Sequence, residues 1–303
     1  MDNFTGKVAF ISGAASGIGL GMAKAFAAQQ MKVALADVRE EKLQAATRAL
    51  RAAGAHCLAV PLDVTRRDLW AAAADQVETA LGQVQLLCSN AGVNFVGATQ
   101  DATFEDWDFC LGVNVGGAVN AIRTFVPRML AHGAGGHIVI TSSMSGLFTR
   151  GGSGVYVTSK FALIGLAESL RADLAPHGIG VSALCPGPVK SELFESTIAT
   201  RPRTLAATGS VPVIPPGVAR EDSPIFATAP TSEYVGEQVV RGIRRNDLYI
   251  MTHPEMRSVL AARAAALLAA LPQESVDPAR LRATESSYDA TLYLEQCAKP
   301  PPN

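Results

Sequence analysis

Charge is what this sequence is short of. Asp, Glu, Lys and Arg make up only 17% of its 303 residues, and 26 basic against 27 acidic side chains leave a net charge of −1. A nucleic-acid or anionic-membrane binder would carry a basic surplus, so neither partner is expected. Cysteine is scarce too: five residues, at 57, 88, 110, 185 and 297, with no Cys-x-x-Cys pair. An odd, scattered set argues for free thiols in a reducing, cytoplasmic setting and against a disulfide frame or a zinc site. His132, His137 and His177 flank expected helix ends and strand starts, so they read as capping or surface groups and no metal is expected. Long apolar runs are also missing. The most apolar stretch, Leu260 to Leu271, is short, mostly alanine and interrupted by Arg263, which excludes it as a bilayer span. The start, Met1-Asp2-Asn3-Phe4-Thr5, has no cationic region followed by an apolar one, so no leader is expected.

Hydrophobic residues, by contrast, reach 48%, enough for a large core. They come in short runs: Val8 to Ile11, Val33 to Ala36, Leu58 to Val60, Leu86 to Cys88, Ile138 to Ile140 and Val181 to Leu184. Without polar alternation these read as strands buried on both faces of a parallel sheet. Helical stretches lie between them, as at Leu20 to Gln30, Glu40 to Ala53 and Arg66 to Leu81, with Gly54 and Gly82 as stops. Strand and helix alternating every 25 to 30 residues or so predicts an α/β, doubly wound parallel sheet. After Pro186 the rhythm breaks, and prolines crowd a stretch without period. A mobile substrate loop or lid is expected over 190–230. A helix over Thr231 to Arg245 and a last strand over Leu248 to Met251 close a single domain, 1–252. Two further helices, Pro254 to Leu271 and Pro278 to Ala298, make a C-terminal extension, 253–303.

Chemistry concentrates at strand ends. Ser12-Gly13-Ala14-Ala15-Ser16-Gly17-Ile18-Gly19 follows the first strand and opens a helix. Its glycines allow a tight turn, bringing backbone N–H groups against a pyrophosphate at a helix N-terminus. Asp37 ends the second strand, 18 residues past Gly19. A carboxylate there accepts from the adenosine ribose hydroxyls and repels a 2′-phosphate, although it is also a plain polar strand end. NAD is expected over NADP, with Arg39 nearby as the residue that could accommodate that phosphate. Tyr156-Val157-Thr158-Ser159-Lys160 sets a phenol and an ammonium one helical turn apart. A lysine alongside favours the phenolate of a side chain whose ordinary pKa is near 10. Ser143, 13 residues earlier, and Asn90-Ala91-Gly92 reach the same sheet edge.

Gly13-x-x-x-Gly17-Ile18-Gly19, Asp63-Val64, Asn90-Ala91-Gly92, Asn114, Ser143, Tyr156-x-x-x-Lys160 and Pro186-Gly187 stand in an order and spacing that resemble the short-chain dehydrogenase/reductase family over about residues 5 to 195. The resemblance implies a Rossmann-type fold and an NAD(P)-dependent alcohol dehydrogenase or ketoreductase. It implies Tyr156 as acid/base, Ser143 as donor to the substrate oxygen, and Lys160 on the nicotinamide ribose. Asn114 would hold a water in a proton relay, hold its helix in place, or do both. Gly13, Ser16, Gly17, Ile18 and Gly19 would face the pyrophosphate, and Asp37, Asp63 and Val64 the adenosine. Asn90, Ala91, Gly92, Pro186, Gly187, Val189 and Ser191 would line the remaining cofactor cleft. Departures are conservative: Ser12 and Ser191 replace threonines, and Ser89 an asparagine.

The expected substrate walls are Asn94, Phe95, Ser145, Leu147, Phe148 and Pro188. They are mostly apolar, which points to a small hydrophobic, aromatic secondary alcohol or ketone. Gly92 to Gly97, Phe125 to Met129 and Leu248 to Glu255 resemble a bacterial subgroup that includes the benzylic (Cα) alcohol dehydrogenases acting on lignin-type aryl ethers. Two alternatives stand beside that reading: a non-catalytic cofactor-sensing protein on the same fold, and a carbonyl reductase for aliphatic or steroid-like ketones. Assembly as a homodimer or homotetramer is the family expectation.

Overall fold

Runs of apolar residues with no polar face need cover on both sides, and the chain supplies it with helices above and below one sheet. The computed structural model describes residues 1, 3–149, 151–202, 205, 224–287 and 290–300, and the chain divides into two units, Met1–Thr252 and His253–Asn303. In the first unit the strands are β1 Val8–Ser12, β2 Lys32–Asp37, β3 Cys57–Pro61, β4 Val84–Ser89, β5 Gly136–Thr141, β6 Ile179–Cys185 and β7 Tyr249–Met251. They form a 7-stranded parallel sheet in the order β3-β2-β1-β4-β5-β6-β7. This is the doubly wound α/β fold that the strand and helix rhythm predicts. The helices are α1 Gly17–Ala28, α2 Glu40–Ala52, α3 Trp70–Leu81, α4 Phe104–Leu111, α5 Gly117–His132, α6 Gly154–Leu174, α7 Leu193–Thr200, α8 Pro224–Ala227 and α9 Ser232–Arg245.

Period-2 alternation divides each strand between two cores. Ala9 and Ile11 join Val33, Leu35, Leu86 and Cys88 in a cluster with Phe26 of α1, Leu43 of α2 and Val239 of α9. Phe10 points the other way, its ring 4.6 Å from Phe125 of α5 and 5.9 Å from Trp70 of α3. The helical run Phe104–His132 is long and apolar enough by composition to cross a membrane. Its apolar residues have a nearer destination, since Ala121, Phe125 and Met129 are buried in this second core. The order of strands reverses between β1 and β4, which lie side by side with Ile11 opposite Cys88. A crevice therefore opens beyond their C-terminal ends, at Ser12-Gly13 and Ser89-Asn90.

Two expectations change. Residues 193–200 are helical, because Leu193, Phe194 and Thr197 share one inward face, although one short helix is too brief to show a period in the sequence. Residues 224–227 of the expected lid are helical too, as α8, while its residues 203–204 and 206–223 lie outside the described residues. In the second unit, a 3₁₀ turn Pro254–Met256 leads into α10 Arg257–Ala269. The single helix expected over Pro278 to Ala298 is two, α11 Pro278–Ser287 and α12 Thr291–Cys297, with Ala290 at φ −101 and ψ 9 acting as the N-cap of the second.

Candidate active site

The glycine-rich turn leaves β1 and enters α1. Gly13 has φ +67, and a Cβ there would lie 2.8 Å from Ala91 Cα; a Cβ on Gly19 would lie 2.1 Å from the Gly13 carbonyl oxygen. Only glycine lets these backbones meet. Ser16, the N-cap of α1, makes no side-chain capping bond, so the first-turn N–H groups of a 12-residue helix face outward with the positive end of its dipole. Ser12 keeps the hydroxyl function of the threonine it replaces, its Oγ accepting from Asn90 N at 3.0 Å and Ala91 N at 3.1 Å. Asn90 in turn donates through Nδ2 to Ser12 O and Gly13 O and accepts from Thr141 Oγ1. Its side chain thus ties the ends of β1, β4 and β5, and what it offers the crevice is backbone.

At the end of β2, Asp37 is 5% exposed and accepts from Ala15 N at 3.1 Å. Arg39 lies across it, donating from Nε to Asp37 Oδ1 and from Nη2 to Asp37 Oδ2, both at 3.1 Å. Asp63 closes an Asx-type turn, accepting from Thr65 N and Thr65 Oγ1. Val64 is buried against Gly117, with its carbonyl oxygen held by Trp70 Nε1 and Asn120 Nδ2. Ser191 comes down onto the glycine turn, its Cβ 3.3 Å from where a Gly17 Cβ would stand. Val189, expected at the nicotinamide, is 4% exposed and packed in the main core instead. The alternation that aims Pro188 outward turns its neighbour in.

Strand β5 delivers Ser143 to the crevice and α6 delivers Tyr156 and Lys160. The Ser143 hydroxyl stands near enough to the Tyr156 phenol to pull its titration down. Ser143 Oγ also donates to Pro186 O at 3.3 Å and accepts from Ser145 N at 3.1 Å. The long bond to Pro186 is weak, so the serine proton can turn to another acceptor. Lys160 is 4% exposed; Nζ donates to Thr141 O at 3.0 Å and sits 5.5 Å from the centre of the Tyr156 ring. Burial dominates both titrations. It pushes the Tyr156 phenol up to about 12, against the pull of the Ser143 hydroxyl, and holds the Lys160 ammonium down to about 8. The phenol is thus raised where the lysine spacing leads one to expect it lowered, and burial is the dominant cause.

Asn114 occupies a π turn, Gly112–Gly116, between α4 and α5, a helix defect common at functional sites. Its Oδ1 accepts from Val93 N at 2.8 Å, while Nδ2 donates to Val93 O at 3.0 Å and Ser159 Oγ at 2.9 Å. The amide therefore pins the strand β4 exit to α6. A Cβ on Gly92 would lie 3.3 Å from Asn114 Oδ1 and 3.5 Å from Lys160 Nζ, so both reach the same side of the crevice. Ser159, not singled out in the sequence, completes this link by donating to Tyr156 O.

On the substrate side, Ser145, Leu147, Phe148 and Pro188 are half-buried at the crevice end of β5 and β6. Phe95 is not a wall: it is 3% exposed, in a cluster with Val93, Cys110 and Val155 on which Tyr156 rests. Asn94 engages α7, its N–H donating to Thr197 Oγ1 at 2.9 Å. Arg201, just beyond α7, pairs with Asp106 of α4, their side chains 9% and 0% exposed. Asp106 also closes the Thr103 capping box of α4. A buried carboxylate stripped of its cation is costly, so Arg201→Met is expected to destabilise the protein by about 3–5 kcal/mol, read as a lower urea midpoint. An unchanged midpoint would show that the pair is not retained in solution.

Comparison with known proteins adds the following. The family model described as short chain dehydrogenase matches residues 7–202. The C alpha-dehydrogenase of Sphingobium sp. (strain NBRC 103272 / SYK-6) is 38% identical over 284 residues, covering 92% of this chain and 90% of that protein. Among solved structures, a short chain dehydrogenase/reductase from Burkholderia phymatum in complex with NAD is 32% identical with TM-score 0.80, covering 91% of this chain and 100% of that one. The apo form of LigD from Sphingobium sp. strain SYK-6 is 34% identical with TM-score 0.74, covering 89% and 100%.

Proposed function

Because the chain belongs to the short-chain dehydrogenase family, we propose that it is an NAD-dependent oxidoreductase moving a hydride between nicotinamide and a hydrophobic, aryl-substituted secondary alcohol or ketone. The observation that carries this reading is the convergence of Ser143, just after β5, with Tyr156 and Lys160 of α6, the buried Lys160 ammonium standing 5.5 Å from the centre of the Tyr156 ring. The residues fit a dinucleotide: a glycine turn too tight for any Cβ, a helix N-terminus without a side-chain cap, and a carboxylate at the end of β2.

When bound, the nicotinamide supplies or accepts the hydride; the protons are the chain's own work. Tyr156 donates its phenolic proton to the carbonyl oxygen in reduction and recovers it from the hydroxyl in oxidation. Ser143 turns its proton from the weak Pro186 bond toward the same oxygen, stabilising charge that develops there. Lys160 keeps one hydrogen on Thr141 O and has two left for the nicotinamide ribose. Asn114, its Nδ2 hydrogens taken, can serve a water only through the second lone pair of Oδ1 or its backbone carbonyl.

The aryl preference rests on Leu147, Phe148 and the α7 residue Phe194, whose ring meets Phe226 edge-on at 6.4 Å. The relative named C alpha-dehydrogenase supports action at a carbinol carbon of that kind. A panel of aryl and alkyl carbinols, followed by NADH absorbance, is the test, and faster turnover of alkyl carbinols would refute the aryl assignment. Asp37 favours NAD, since a 2′-phosphate beside a carboxylate costs roughly 1–3 kcal/mol when partly buried. The expected preference for NAD in kcat/KM is therefore about 10- to 100-fold. Equal use of NADP would show that Arg39 governs the subsite.

A further inference from the structure

Arg39 in the turn after β2 and Lys42 in the first turn of α2 lie 153 and 150 residues from Glu192 at the entry to α7, and yet the three share one charge cluster. Arg39 donates to both oxygens of Asp37 and, through Nη2, to Ser16 Oγ at 2.9 Å. Its Nη1 reaches Glu192 Oε2 at 3.4 Å, and Lys42 Nζ meets the same oxygen at 2.5 Å. Asp37 also accepts from Arg39 N at 2.9 Å and Ala15 N at 3.1 Å. Four donors use up the roughly four lone-pair positions of a carboxylate. A ribose diol can bond Asp37 only if the guanidinium yields, and the carboxylate it can yield toward is that of Glu192, already within reach of Nη1.

We propose that Glu192 is a specificity-determining residue for the cofactor: it holds Arg39 and Lys42 as their counter-ion, so that a 2′-phosphate finds no available cation. The inference rests on the nicotinamide-dinucleotide reading given above. Two cations and two carboxylates make the cluster neutral, with Asp37 nearly buried and Glu192 at its rim. A phosphate brings close to two negative charges, which Asp37 and Glu192 both repel. Neutralising Glu192 leaves two cations facing one carboxylate and frees the Nη1 edge of Arg39 together with Lys42. Because Glu192 stands at the entrance to α7, the helix that covers the substrate side is also what discriminates at the adenosine end.

The test is Glu192→Gln, which keeps the side-chain volume and removes the charge. Equilibrium titrations with NADH and with NADPH, read by quenching of Trp70 and Trp107, give the dissociation constants directly. NADPH is expected to bind about three- to tenfold more tightly to the variant at low salt, with NADH shifting less than about twofold, and the gain should fade in about 0.5 M salt as the exposed charges are screened. A urea midpoint equal to that of the wild type shows the fold intact; for a variant that falls short, Glu192→Asp, which pulls the charge back without deleting it, should move NADPH in the same direction by less. Equal shifts for both cofactors, or none for NADPH, would overturn the role of Glu192 while leaving the dinucleotide reading in place. Failure of the wild type to bind either cofactor would overturn that reading itself.

Discussion

Tyr156→Phe is expected to lower kcat by about 10²–10⁴-fold, with NADH affinity staying within about twofold of the wild type. The ring survives the change, still resting on Val93, Phe95, Cys110 and Val155, so the crevice keeps its wall. What leaves is one O–H and its interaction with Ser143. Because burial holds the phenol up to about 12, the wild-type group carries its proton at neutral pH and is poised as an acid. A phenylalanine has no proton to give. Single-turnover reduction of an aryl ketone by NADH, with a fluorescence titration for the cofactor, separates the two effects. A turnover within about tenfold of the wild type would remove Tyr156 from the chemistry.

Much of this arrangement was legible in the sequence because it depends on local rules. Unalternating apolar runs such as Ile138 to Ile140 read as doubly covered strands, and their alternation with helices reads as a parallel sheet. The glycines at 13 and 19 and the Tyr156–Lys160 spacing sit within single turns, where chemistry and spacing are read together. Hidden features are those set by tertiary environment. Helical spacing places Lys160 beside Tyr156, but it says nothing of how much water is lost around both, and that loss decides their titration. Val189 and Phe95 carry the composition of a binding wall, and packing takes them into the core. Arg39 and Glu192, or Arg201 and Asp106, are ordinary surface-looking charges until the fold lays α7 across α4 and the β2 turn. Asn114 reads as a lone buried amide, and only the π turn shows how it can face Val93, Ser159 and the crevice together.

Lys160→Met should lower kcat/KM by about 10²-fold or more, since the proposed ribose donor and a cation 5.5 Å from the Tyr156 ring disappear together. Its pH profile is the more searching measurement. The wild-type ammonium is held down to about 8 and the phenol up to about 12. Ketone reduction uses the protonated phenol and the ammonium, so its kcat/KM should be flat below pH 8 and fall about tenfold per unit above it. Alcohol oxidation uses the phenolate and the ammonium, so it should rise about tenfold per unit to pH 8 and then level. With methionine at 160 both breaks near 8 should vanish; a break that persists belongs to another group. Stability should move in the opposite sense to activity. Lys160 has a folded pKa below its ordinary 10.5, so between about 8 and 10.5 the unfolded chain binds the extra proton and folding gains as pH rises. Below 8 the folded protein bears the cost of a buried ammonium bonded to Thr141 O. Methionine fills similar space without that cost, so the variant should unfold at higher urea than the wild type at pH 7, with the difference shrinking toward pH 10. A variant weaker at pH 7 would mean that the Thr141 bond outweighs the burial of the charge, and that this site holds its cation for the fold as well as for the reaction.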